Sequence, residues 1–169
     1  MKSKQTQKLA AIRGKLYLVF FVIAIALLST RGLILSYKYP DSFDAIDKKV
    51  QDNDLITLNE KENVIYSIAI LEQEVNNGGF DQYFLNSSGS LAILTLKSLE
   101  KVGATKTKGL LEQAIQVAFG EDIPRDWDER QEKLLALDKK SEAKLNELDQ
   151  EFYKYDENIE ELVNAYLNK

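Results

Sequence analysis

Apolar residues recur at helical spacing along most of this chain. Val64, Ile65, Ile68, Leu71 and Val75 fall on one face of a 3.6-residue period, which predicts a helix burying that face. Asn59 with Glu62 three residues on supplies a capping-box start for it. Asn76-Asn77-Gly78-Gly79 supplies a stop, because Asn and Gly tolerate left-handed backbone. Residues 80–85 read as a short helical turn. Residues 90–102 form a further apolar helix ended by Gly103, and residues 107–119 another, carrying Leu110, Leu111, Ala114, Ile115 and Ala118 and ended by Gly120. Asp126 with Glu129 opens a long charged helix containing Leu134, Leu135 and Leu137, which continues or restarts through Leu145, Leu148 and Phe152. Ile159, Leu162, Val163 and Tyr166 mark a last short helix, and residues 43–50 an early one after the break at Tyr39-Pro40-Asp41-Ser42. No stretch alternates with period two for long enough to predict a strand. The expectation for residues 39–169 is one all-α domain, a compact bundle of about seven helices.

Residues 1–38 follow a different pattern. Residues 16–30, LYLVFFVIAIALLST, carry no charge, and apolar character resumes after Arg31 with Leu33, Ile34 and Leu35. A helix over residues 16–37 would be about 33 Å long, against a hydrocarbon core of about 30 Å. Tyr17 and Tyr37 stand near its two ends, where amphipathic rings favour the membrane interface. This predicts a single transmembrane anchor. Two other readings stay open, a signal sequence cleaved on secretion and a buried core helix. Lys2, Lys4, Lys8, Arg13 and Lys15 precede the span. That bias places the N-terminus in the cytoplasm and the C-terminal domain outside it.

Charge sharpens the division. Residues 41–169 hold 15 Lys and Arg against 27 Asp and Glu, a net −12. A body this acidic repels phosphate backbones, which excludes direct nucleic-acid binding and points to a basic protein surface as partner. The sequence has no histidine and no cysteine. Triad-type nucleophilic catalysis, HExxH zinc sites and thiolate chemistry are therefore excluded. Asp52-Asn53-Asp54 and Asp126-Trp127-Asp128 lack the Gly and distal Glu of a calcium loop, so no metal and no cofactor is expected. The residues point away from an enzyme. The alternative is a carboxylate-dependent extracytoplasmic hydrolase, or a ligand-binding domain, built on residues 74–86.

One segment is distinctive: Glu74-Val75-Asn76-Asn77-Gly78-Gly79-Phe80-Asp81-Gln82-Tyr83-Phe84-Leu85-Asn86-Ser87-Ser88-Gly89. Gly78 and Gly79 permit a tight turn between helices, and Phe80, Tyr83 and Phe84 fall at i, i+3, i+4 for the core. Glu74, Asn77, Gln82 and Asn86 offer groups that close the backbone hydrogen bonds such a turn opens, and Asn76 belongs to the same structural motif. A ligand-contacting loop is the other reading. Asn86-Ser87-Ser88 also matches a glycosylation acceptor, without other support for that setting.

This run, followed by an apolar helix and the Val102-Gly103-Ala104 stop, resembles the signature of the bacterial DNA-mimic protein family. That family is named after a member that imitates duplex DNA with surface carboxylates. The resemblance covers roughly residues 55–165 and is sharpest over 72–89. It implies an all-α fold, no catalytic activity and, for at least part of the family, binding to a DNA-binding protein. The family pattern has no membrane span, so residues 1–38 depart from it, and a body outside the cytoplasm would not meet transcription factors.

Duplex DNA carries one charge per about 1.7 Å of axis, so a mimic needs dense carboxylates with few cations between them. Residues 126–151 include Arg130, Lys133, Lys139, Lys140 and Lys144 and read as a solvated helix face. Residues 147–161 differ: Glu147, Asp149, Glu151, Asp156, Glu157, Glu160 and Glu161 meet only Lys154, a net −6. These seven are the expected partner-binding residues. Residues 41–62 add a net −4.

Overall fold

A computed structural model describes residues 43–53 and 57–169. The expected membrane span at 16–37 and the acids Asp41 and Asp54 lie outside the described residues. Among the described residues no helix is long and apolar enough to cross a membrane. They form seven α-helices and one 3₁₀ helix, with no strand. The helices are α1 (Phe43–Asn53), α2 (Glu60–Leu85), α3 (Ala92–Val102), α4 (Thr105–Phe119), α5 (Trp127–Leu135), α6 (Lys139–Phe152) and α7 (Ile159–Leu167); the 3₁₀ helix Ser87–Leu91 precedes α3. Residues Ala45–Lys169 make one compact unit.

The caps that the sequence predicts are in place. Asn59 Oδ1 accepts from Glu62 N at 3.0 Å and Glu62 Oε2 from Asn59 N at 2.9 Å, closing the capping box on α2. Asp126 accepts from Glu129 N at 3.0 Å, and α3 ends at Gly103 with φ 82°. The charged stretch after Asp126 restarts rather than continues: Asp138 accepts from Ser141 N at 2.8 Å and opens α6 as a separate helix.

The core centres on α2, which packs against α3, the 3₁₀ helix, α5, α6 and α7. Val64, Ile65, Ile68, Leu71 and Val75 are all buried there, as their periodicity requires. Leu99 and Val102 of α3, Leu111 and Ala114 of α4, Leu145, Leu148 and Phe152 of α6 and Val163 of α7 are buried as well. Leu135 breaks the expectation. It is 68% exposed, because α5 is short and ends there.

Candidate functional site

The stop expected at Asn76–Gly79 is present as a break in α2, where two helical stretches meet at a kink. The backbone is non-helical at Gly78 (φ −171°, ψ 27°) and Gly79 (φ 77°, ψ −176°). Gly78 is extended, a conformation open to any residue. Gly79 lies at a positive φ that is essentially reserved for glycine, and a Cβ there would collide with the Asp149 carboxylate. The kink leaves the Phe80 N–H without a partner in its own helix, and Asp149 Oδ1 accepts it at 2.8 Å. Asp149 is 8% exposed. Burial pushes its carboxyl above the usual range, and the Phe80 N–H pulls partly back.

Beyond the kink the aromatics fill the interior. Phe80, Tyr83 and Phe84 are fully buried. Phe80 packs edge-on to Phe152 at 5.8 Å, and Phe84 edge-on to Phe119 at 5.1 Å, geometries that ring quadrupoles favour. The Tyr83 hydroxyl pairs with Thr95 Oγ1 at 2.9 Å, and burial raises the phenol far above its usual range. Glu74 Oε2 accepts from Gln82 Nε2 at 2.8 Å and from Asn86 Nδ2 at 2.7 Å, so three polar side chains of the segment bind one another across the kink. Asn76 Nδ2 donates to Glu72 O at 2.7 Å and to the Tyr155 hydroxyl at 2.6 Å, while the Asn77 side chain is exposed. Beside Glu74 lies a cleft of about 310 Å³ bordered by Tyr66, Ile70, Ser87 and Ser88.

The last four carbonyls of α2 are each satisfied, although the helix ends inside the protein. Gln82 O accepts from Asn86 N, Tyr83 O from Ser88 Oγ at 2.8 Å, Phe84 O from Arg130 Nε at 3.3 Å and Leu85 O from Trp127 Nε1 at 2.9 Å. Arg130 is 1% exposed and also donates to the Pro124 and Arg125 carbonyls, at 3.1 and 2.9 Å. Its burial lowers the guanidinium from its ordinary value. A cation placed at a helix C-terminus meets the negative end of the macrodipole, which suits this position. Gly89 is needed here because a Cβ would sit 2.5 Å from Phe84 O and 2.9 Å from Arg130 Nε. The reading of Arg130 as part of a solvated face is therefore corrected. One sequence signal was present: a cation in the first turn of α5 stands at the wrong end of its own helix dipole, which implies a target elsewhere.

The seven expected partner acids do not form one row. Asp149 is buried under the kink, so its expected role at a partner surface is corrected. Glu157 is half-buried and accepts from Lys106 N at 3.2 Å, Thr107 N at 3.0 Å and Thr107 Oγ1 at 2.9 Å. It caps α4 from 50 residues away, where Ala104 has no side chain able to do so. Glu147 and Glu151 are exposed but paired with Lys144 at 2.8 Å and Lys154 at 2.6 Å. Asp156, Glu160 and Glu161 reach solvent and form no ion pair among the described residues. Glu161 also accepts from Asn158 Nδ2 at 3.2 Å. Of residues 41–62, Glu60 and Glu62 are bridged to Lys101 and Lys49. Among the described residues no cluster of three or more Asp and Glu is placed to hold a metal ion.

Residues 56–169 match the family described as DMP19-like protein. The match covers more than half of the chain, so the chain belongs to that family. No curated protein and no solved structure matches it.

Proposed function

From membership in that family we propose that this chain is a non-enzymatic, acidic protein-interaction module, whose exposed carboxylates occupy a basic protein surface as duplex DNA would. The family suggests a DNA-binding protein as the partner if the body lies in the cytoplasm; outside it, the partner is a protein with a basic surface of the same kind. The observation that carries the reading here is the trio of exposed Asp156 and Glu161 and half-buried Glu160, which form no ion pair among the described residues, on a body of net −12. The chemistry of the junction supports the absence of catalysis: Glu74 is engaged by Gln82 and Asn86, and the chain has no histidine to assist it.

We place the body behind a membrane anchor at residues 16–37, with the N-terminus inside. A reporter fused at Lys169 that is active only in the cytoplasm should stay silent; a bright signal overturns this orientation and puts the acidic body among DNA-binding proteins. The partner is tested on the full-length chain in neutral nanodiscs, with a basic DNA-binding protein titrated at two salt concentrations. Binding should weaken as salt rises, yield to duplex DNA as competitor, and weaken in Asp156→Asn/Glu160→Gln/Glu161→Gln. Binding indifferent to duplex DNA and to the triple substitution rejects the reading.

One observation favours a second reading, a ligand-binding domain: the cleft of about 310 Å³ beside Glu74. A small ligand that stabilises the wild type but not Ser88→Ala, a substitution on the cleft wall, would establish it.

A further inference from the structure

The exposure of Leu135 marks a second surface. Leu134 and Leu135 at the end of α5, Leu137 in the turn after it and Leu85 at the end of α2 line a groove of about 350 Å³. Two carboxylates stand in its wall, Asp81 of α2 and Glu142 of α6. Several other acids are bridged: Glu60, Glu62, Glu100, Glu129, Glu147 and Glu151 each have a lysine. Asp81 and Glu142 have none among the described residues, and the charges of Asp149 and Glu142 both act against that of Asp81. A leucine 68% exposed beside two uncompensated carboxylates costs the free protein both hydration and repulsion. One kind of occupant relieves both.

We propose that this groove seats a basic amphipathic segment of a protein partner, with apolar side chains over Leu134, Leu135 and Leu137 and a Lys or Arg beside Asp81 and Glu142. Charge complementarity selects this occupant. A second copy of the chain would bring Asp81 and Glu142 of both molecules to the same interface, and anionic lipid would meet the same repulsion. The long aliphatic stem of Lys or Arg also suits a site whose floor is leucine and whose wall is carboxylate. The groove shares no residue with Asp156, Glu160 and Glu161 and stands whether or not the protein acts as a DNA mimic.

The test uses the full-length chain in neutral nanodiscs and a labelled helical peptide with leucines along one face and lysines flanking them. Anisotropy should show saturable binding. It should fall on the order of tenfold when the peptide leucines become serine or its lysines become glutamate. Leu135→Ser and Asp81→Asn/Glu142→Gln should each weaken it similarly, and Leu135→Met should restore it. Asp156→Asn/Glu160→Gln/Glu161→Gln should leave it unchanged, which separates this groove from the acidic surface proposed above. Leu135 is exposed enough that its substitution keeps the fold, as near-ultraviolet circular dichroism of Leu135→Ser would verify. Absence of binding, equal binding of the serine peptide, or indifference to Leu135→Ser overturns the proposal. Self-association that Leu135→Ser abolishes overturns it in favour of a second copy.

Discussion

The junction at residues 74–89 and the acidic segment at 147–161 look unlike in sequence, and the structure brings them together. The junction mixes aromatics, amides and glycines, and its large rings all turn inward. The acidic segment is one carboxylate in two residues, which predicts a solvated face, yet Asp149 and Glu157 turn inward as well. Each ends on backbone N–H groups at a helix start that its own sequence leaves uncapped, Phe80 after the kink and Lys106 and Thr107 at the start of α4. A carboxylate is the strongest acceptor available for such groups and is favoured there by the helix dipole. Charge density in a sequence therefore counts carboxylates without telling which way they point. The same seven acids divide into two caps, two lysine-paired residues and three that remain for a partner.

The largest effect that separates the two regions is a cavity in the junction. Phe84→Ala removes a fully buried ring that touches Phe80, Tyr83 and Phe119, and should cost about 3–5 kcal/mol in chemical denaturation. Glu160→Gln and Glu161→Gln should stay within about 0.5 kcal/mol of the wild type. Equal losses would mean that the acidic segment is as structural as the junction.

A smaller effect lies inside the acidic segment itself. Asp149→Ala leaves the Phe80 N–H buried and unpaired, which should cost about 1–3 kcal/mol, while Glu160→Gln and Glu161→Gln, at carboxylates of the same segment, cost almost nothing. Hydrogen exchange at Phe80 should accelerate in Asp149→Ala beyond the change in global stability. An unchanged Phe80 amide would show that the kink is held by Gly79 alone.

Much of the fold is legible because it rests on local rules. The capping box on α2, the N-caps of α5 and α6, the helix ends at Gly103 and Gly120, and the buried face of α2 follow from residues within four positions of one another. The break at Gly78 and Gly79 was legible as glycine but its support was not, since nothing near Gly79 announces that Asp149 will meet the exposed N–H from 69 residues away. Arg130 was missed for the same reason: its acceptors are carbonyls of α2's end and of residues 124 and 125, groups every residue has. Leu135 and the groove could not be read at all, because its leucines have the same spacing whether a helix continues or stops. The candidate surface was thus legible in its composition and not in its membership.

The smallest effect distinguishes repulsion from capping at the point where the two regions touch. Partial burial, then the charges of Asp149 and Glu142, hold the Asp81 carboxyl above its ordinary range. A carboxylate raised in the folded state binds its proton more tightly there than in the unfolded chain. Its charge then opposes folding at neutral pH, and that opposition fades as pH falls through the raised value toward the ordinary one. Asp81→Asn should accordingly raise Tm at pH 7, through a stabilisation of less than about 1 kcal/mol, because the residue keeps much of its surface in solvent, which screens the repulsion. The advantage should shrink as the pH falls into the carboxylate range. Glu60, Glu62 and Asp138 are held below their ordinary values and contribute the opposite sign, stability that acid removes. They are common to both proteins, so the difference between the two melting curves isolates Asp81. If Asp81→Asn instead lowers Tm at neutral pH, the attraction of that carboxylate to the restarted helix after Gly79 outweighs its repulsion by Asp149 and Glu142, and Asp81 joins Asp149 as a cap.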